Sequence, residues 1–71
     1  MNAALSHFID KEKKKILDAF YSDVNYRTRA STKIVKRLII NAPYLINGRM
    51  YDIKVKSLGA GIYELSLKDF T

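Results

Sequence analysis

The segment from Asn47 to Lys68 reads NGRMYDIKVKSLGAGIYELSLK and holds the clearest structural pattern in the chain. Its first two residues, Asn47-Gly48, are the strongest short signal for a hairpin, because both residue types tolerate the positive φ angles of a type I′ turn. After the turn, apolar residues alternate with polar ones, which is typical of strands with one buried and one solvated face. The apolar positions are Tyr51, Ile53, Val55, Tyr63, Leu65 and Leu67.

This alternation predicts a three-stranded antiparallel meander. We expect strands at Tyr44–Ile46, Met50–Ser57 and Ile62–Lys68, with a second turn at Leu58–Gly61. Since Phe70 and Thr71 follow directly, the third strand is expected to form an open edge of the sheet. That edge would be available to a second copy of the chain or to a partner protein.

Two helices are predicted before the meander. Apolar residues at spacings of three, four and seven indicate a helix from Asn2 to Asp23, unless residues 6–9 form a separate turn and Asp10 starts the helix. Residues 25–30 are polar and basic and are interpreted as a loop. Ser31 is a good N-cap for a second helix of about ten residues, which Pro43 would end.

These elements predict a single α+β domain, residues 1–71, with two helices packed on one face of the sheet. The expected core consists of the apolar residues that face the space between helices and sheet. They are Leu17, Phe20, Leu38, Ile53, Val55, Leu65 and Leu67.

Positive charge is concentrated in the middle of the chain. The net charge of the 71 residues is +6, yet residues 1–26 carry four lysines and four acids. Residues 27–56 carry eight basic residues and a single acid, Asp52. Such a surface either keeps a small protein soluble or binds phosphates.

The candidate nucleic-acid-binding residues come from this region. They are Arg27, Arg29, Lys33, Lys36, Arg37, Lys54 and Lys56. Lys54 and Lys56, with Lys68, are expected on the wet face of the sheet, and Lys36 and Arg37 on the solvent side of the second helix. Tyr26 and Tyr44 are candidate rings for base stacking, although half-buried tyrosines at the edge of the layers are the more common case.

Catalytic and metal-binding signals are sparse. The chain has no cysteine and one histidine, His7, so three or four convergent metal ligands are not expected, and no cofactor motif is present. No apolar run approaches the roughly 20 residues of a membrane span, so we expect no membrane partner and a cytoplasmic location.

Residues 54–65, KVKSLGAGIYEL, resemble the "K-x-L-x-x-G-[IL]-[YF]-E-L-R" stretch of the phage-derived branch of the RelE/HigB toxin superfamily. The resemblance implies a small basic fold that docks on the ribosome, cleaves mRNA and is neutralised by an antitoxin. Lys54 and Lys56 match the basic positions before the turn. Ser66 stands where the family has arginine, and the family's later strands, which carry catalytic residues, have no counterpart before Thr71. The resemblance therefore implies nucleic-acid or ribosome association without efficient RNase activity.

Two other functions remain open. A minimal winged-helix protein would place the second helix in the major groove of DNA and use residues 54–63 as the wing, although such domains usually have three helices. A phage-type inhibitor would instead bind another protein through the open sheet edge.

Overall fold

The computed structural model describes the backbone of residues 3–70 and the side chains of residues 7–70. The described elements are α1 (Ala3–Ser22), β1 (Thr28–Ser31), α2 (Thr32–Ile40), β2 (Tyr44–Ile46), β3 (Arg49–Gly59) and β4 (Ile62–Asp69). The α+β class and the predicted helices are confirmed, apart from the expected start at Asn2, which lies outside the described residues. In the described part of the chain, neither helix is both long enough and apolar enough to cross a bilayer.

The sheet has four antiparallel strands, in the order β1-β4-β3-β2, and not the predicted three. The additional strand is β1, which contains residues 28–30 of the segment interpreted as a loop and ends at Ser31, the expected N-cap of α2. It pairs with β4 from Thr28 opposite Leu65 to Ser31 opposite Ile62. The prediction that the last strand forms an open edge is therefore wrong, because β4 lies between β1 and β3.

Both predicted turns are present. Asn47 and Gly48 have φ angles of 52° and 81°, and β2 and β3 pair around them with Ile46 opposite Arg49. The second turn is shorter than the predicted residues 58–61, because β3 continues to Gly59. Gly59, Ala60 and Gly61 all have positive φ, and β3 has an irregularity between Ser57 and Gly59. A positive φ is less favourable for Ala60 than for the two glycines, because the alanine Cβ crowds the backbone in this conformation.

The helices pack on one face of the sheet, which we call the inner face. Phe20 of α1, Leu38 of α2, Ile46 of β2 and Leu65 of β4 are fully buried. Full burial of such side chains contributes about 1.5–3 kcal/mol each. Of the other predicted core residues, Ile53 is buried, whereas Leu17, Val55 and Leu67 are half-buried against the core. The buried set also contains Ile16, Ala30, Val35 and Ile46, which the expected core did not include.

Hydrogen bonds hold the layers in register at one end of the sheet. The Tyr21 hydroxyl donates to the Leu45 carbonyl at 3.1 Å, and the Asn47 amide donates to the Tyr21 carbonyl at 3.3 Å. Both bonds join the end of α1 to the β2–β3 hairpin. Among the described residues, no element covers the other face of the sheet.

Candidate nucleic-acid interface

The second face of the sheet, which we call the open face, presents every alternate residue of each strand. Register places Arg29, Glu64 and Lys56 side by side across β1, β4 and β3. The next two rows of β4 and β3 are Ser66 opposite Lys54 and Lys68 opposite Asp52. Neighbouring rows on one face are about 7 Å apart and neighbouring strands about 4.8 Å apart. The prediction that Lys54, Lys56 and Lys68 share the wet face is confirmed.

The cations of this face have no acidic partner among the described side chains. Those side chains form three ion pairs, which involve Lys14 with Asp18, Arg37 with Asp10, and Arg49 with Asp69. None includes Arg29, Lys54, Lys56 or Lys68, although Glu64 and Asp52 lie in the same rows. We call these four residues the basic face. Their exposed, unpaired charges attract anions more strongly than neutralised pairs would.

An apolar row borders the basic face at one end. Leu45 of β2 lies opposite Met50 of β3, and the Phe70 N–H donates to the Met50 carbonyl at 3.3 Å, so pairing continues past the end of β4. The side chains of Leu45, Met50 and Phe70 are 58, 38 and 54 % exposed. Such exposure of three adjacent large apolar residues is unfavourable in water, and it offers a contact for bases or for apolar side chains.

The seven candidate residues do not form one surface. Arg29, Lys54 and Lys56 lie on the open face, and exposed Arg27 directly precedes β1. Lys33 and Lys36 lie on α2, which packs against the inner face. Arg37, expected on the solvent side of the second helix, is partly exposed there, and its guanidinium lies 3.7 Å from the Asp10 carboxylate of α1.

Neither tyrosine proposed for stacking is a free ring. Tyr26 packs edge-on against Phe20 with ring centroids 5.5 Å apart, and Tyr44 donates its hydroxyl hydrogen to the Leu38 carbonyl at 2.7 Å. Burial raises the pKa of the Tyr44 hydroxyl. The more common alternative, half-buried tyrosines at the layer edge, is confirmed. Phe70 is the aromatic ring next to the basic face. The sequence could have indicated this, because residues two positions apart in a strand, such as Lys68 and Phe70, lie on the same face.

The carboxylates of Glu64 and Asp52 lie in the rows of the basic face, whereas the histidine does not. His7 is exposed on α1, in the helix layer. Among the described residues there is no cluster of three or more potential metal ligands, and the described surface has no enclosed cavity. In the described part of the protein, the open face is a surface of exposed strands and not a cleft.

Compared with protein-family models, curated proteins and solved structures, the chain matches none of them. The resemblance of residues 54–65 to the RelE/HigB superfamily accordingly stays a hypothesis.

Proposed function

We propose that the chain is a binding protein for single-stranded nucleic acid, RNA above all, and that the open face of the sheet is its binding surface. The observation that carries the proposal is the basic face, in which Arg29, Lys54, Lys56 and Lys68 share one uncovered surface without an ion pair. Exposed lysine and arginine that neutralise phosphates supply most of the affinity of sequence-tolerant binding.

The shape of the surface favours a single strand over a duplex. The face of a four-stranded sheet is too broad to enter the major groove, which admits a helix or a two-stranded ribbon. The β3–β4 hairpin is not a free ribbon, since β1 pairs with the first half of β4. Single strands can lie across a sheet and place their bases on exposed apolar side chains. Phe70 and Met50 are positioned for such contacts at one end of the basic face.

The resemblance to ribosome-directed toxins is compatible with this surface. Lys54 and Lys56, the two residues that match the basic positions of that family, lie in adjacent rows of the open face. Ribosomal RNA or mRNA is thus a natural first ligand to test, and cosedimentation with ribosomes is a direct assay.

The test is a salt titration of binding to single-stranded RNA and to duplex DNA of equal length. For about four neutralised phosphates, the logarithm of the RNA affinity should fall with the logarithm of salt concentration with a slope of about −3. The double variant Lys54→Ala/Lys56→Ala should weaken binding and reduce the magnitude of the slope by about 1.4.

A matched control removes the same charge elsewhere. Lys11 and Lys15 are exposed on α1, in the helix layer, and the variant Lys11→Ala/Lys15→Ala also removes two positive charges. We expect this control to bind RNA with an unchanged slope. Equal losses in both variants would mean that the affinity reflects net charge alone, and undetectable binding at about 50 mM salt would reject the proposal.

Duplex DNA is the second candidate, because α2 begins beside the β3–β4 turn. A Cβ atom at Gly61, in the β3–β4 turn, would lie 4.0 Å from the hydroxyl of Thr32, the first residue of α2. In a winged-helix arrangement α2 would enter the groove, and the β3–β4 hairpin beside it would be the wing. Preference for duplex, lost in Lys33→Ala/Lys36→Ala and kept in Lys54→Ala/Lys56→Ala, would establish this alternative. The two helix lysines lie on the opposite layer from the basic face, which favours the single strand.

A further inference from the structure

One long side of β3 is paired with a neighbouring strand over only part of its length. The short strand β2 pairs with Arg49, Met50 and Tyr51, whereas β4 pairs with β3 along almost its full length. The hydrogen-bond ladder between β2 and β3 ends there because Ala42 and Pro43, the two residues that precede β2, cannot donate to β3. The Ala42 N–H donates to the Ile39 carbonyl at the end of α2, and Pro43 has no N–H to donate. From Ile53 to Ser57, which we call the β3 edge, no described strand lies beyond β3.

The register shows which backbone groups are free along the β3 edge. In an antiparallel pair, every second residue bonds to the neighbouring strand and the others point away. The bond from the Phe70 N–H to the Met50 carbonyl places the even-numbered residues of β3 in the ladder with β4. Ile53, Val55 and Ser57 therefore direct their N–H and C=O groups away from β4.

One of these groups is already occupied. The Ile53 N–H donates to the Oδ1 atom of Asp52 at 2.8 Å. This N–H is therefore not free to bond to an added strand. In the described part of the protein, no strand pairs with Val55 or Ser57 on this side, and no side-chain or loop hydrogen bond involves their N–H or C=O groups. The Val55 side chain is half-buried and that of Ser57 is exposed, so the inner side of the edge is not closed by the helices.

The charges beside the β3 edge select its partner. In a strand added at this edge, the side chains on the open face would lie opposite Lys54 and Lys56. Those on the inner face would lie beside Val55. Opposite charges facing each other across a ladder stabilise it, and like charges destabilise it. A second copy of the chain, paired antiparallel about Val55, would bring lysine opposite lysine. We propose that the β3 edge binds an extended segment of another protein in which acidic and apolar residues alternate.

The test uses a capped seven-residue peptide of alternating glutamate and valine, titrated into the full chain labelled with nitrogen-15. We expect hydrogen exchange at the Val55 and Ser57 amides to slow as the peptide saturates. The Lys54 and Lys56 amides, which already bond to β4, should show no comparable change. Protection confined to the lysines, no binding at millimolar peptide, or protection of Val55 in the free chain at high concentration would overturn the proposal.

Control peptides separate strand pairing from attraction of charge. A peptide with the same composition in blocks, all glutamates before all valines, should bind more weakly, because it cannot place acids and apolar residues on opposite faces. N-methylation at the residues whose N–H groups face Val55 and Ser57 should abolish binding, whereas methylation at the intervening residues should leave it intact. Equal binding by all these peptides would reject pairing at the β3 edge.

A charge reversal tests the selectivity. Lys54→Glu, which faces Ser66 across the sheet, should weaken binding of the glutamate peptide by roughly two- to thirtyfold and strengthen binding of a lysine–valine peptide. The control Lys36→Glu makes the same charge change on α2 and should leave both affinities unchanged. If both variants shift the affinities equally, the β3 edge is not the site. This proposal does not depend on nucleic-acid binding.

Discussion

Tyr44 shows how one side chain joins the layers. Its hydroxyl donates to the carbonyl of Leu38, in the last turn of α2, where the final carbonyls have no partner within the helix. The ring is half-buried beside the core, and burial raises the pKa of its hydroxyl because the charged phenolate is poorly solvated there. The same contact that removes this ring from base stacking stabilises the junction between α2 and β2.

Tyr44→Phe is expected to lower the free energy of unfolding by about 1 kcal/mol, the net contribution of one such hydrogen bond. The control Tyr21→Phe removes an exposed and longer bond to the Leu45 carbonyl, so a smaller loss is expected. Urea denaturation at neutral pH measures both differences. An equal or larger loss in Tyr21→Phe would contradict the role assigned to the Tyr44 hydroxyl.

The same residue predicts a pH dependence. The pKa of Tyr44 is raised in the folded chain above its usual value near 10, so the native state holds a proton that the unfolded state releases. The stabilisation is complete below about pH 10 and is lost as pH rises from there through the raised pKa. Wild-type stability should therefore fall more steeply above pH 10 than that of Tyr44→Phe. Parallel pH curves for the two proteins would contradict this prediction.

At the scale of elements, β1 changes the sheet most. Its inward residues are Thr28 and Ala30, and small or polar side chains give too weak an alternation to be recognised as a strand. Arg27 and Arg29 made the segment resemble a loop. The strand forms because β4 offers its free side for pairing, which is a long-range property. With β1 present, β4 becomes an interior strand and Arg29 belongs to the basic face.

Amide hydrogen exchange can test β1 directly. Since the odd-numbered residues of β4 face β1, Thr28 and Ala30 should exchange N–H and C=O bonds with Leu65 and Tyr63. We expect their amides to be protected, and those of Arg29 and Ser31 to exchange much faster. The slowest amides overall should lie in β4, which is paired on both sides. Uniformly fast exchange from residue 28 to residue 31 would show that β1 is not formed.

At the scale of the whole molecule, the two layers have different surfaces. In the helix layer two cations are paired, Lys14 with Asp18 and Arg37 with Asp10. On the uncovered face of the sheet, the four cations of the basic face form no ion pair with a described side chain. Because Lys54 and Lys56 belong to both the basic face and the β3 edge, an acidic strand bound at the edge should compete with RNA. A single partner protein could in this way release the nucleic acid.

The isolated chain is expected not to cleave RNA efficiently under conditions in which it binds RNA. General acid–base catalysis contributes about 10²–10⁴-fold to such reactions. The one histidine, His7, lies on α1 in the helix layer, whereas Lys54 and Lys56 lie on the open face of the sheet. Incubation with labelled single-stranded RNA and separation of the products measures this. Cleavage that disappears in both Lys54→Ala and Glu64→Gln would contradict the prediction and assign Glu64, which lies between Arg29 and Lys56, as the base.

Sequence patterns were sufficient for the elements whose information is local. Period-two alternation predicted β3 and β4, Asn47-Gly48 predicted the hairpin, and helical spacing with Pro43 predicted α2 and its end. The wet face of Lys54, Lys56 and Lys68 followed from the same alternation, since successive side chains of a strand must point to opposite faces. That part of the candidate site was therefore predictable residue by residue.

Only the tertiary structure decided which cations share a surface. The pairing of β1 with β4 places Arg29 on the same face as Lys56. Lys33 and Lys36 lie on α2 in the other layer, and Arg37 of α2 forms an ion pair with Asp10 of α1. Strand order, and with it the identity of the open edge, depends on contacts between residues more than 30 positions apart, such as Thr28 with Leu65. Local propensity carries no information about such pairings, because they form only when the whole core is assembled.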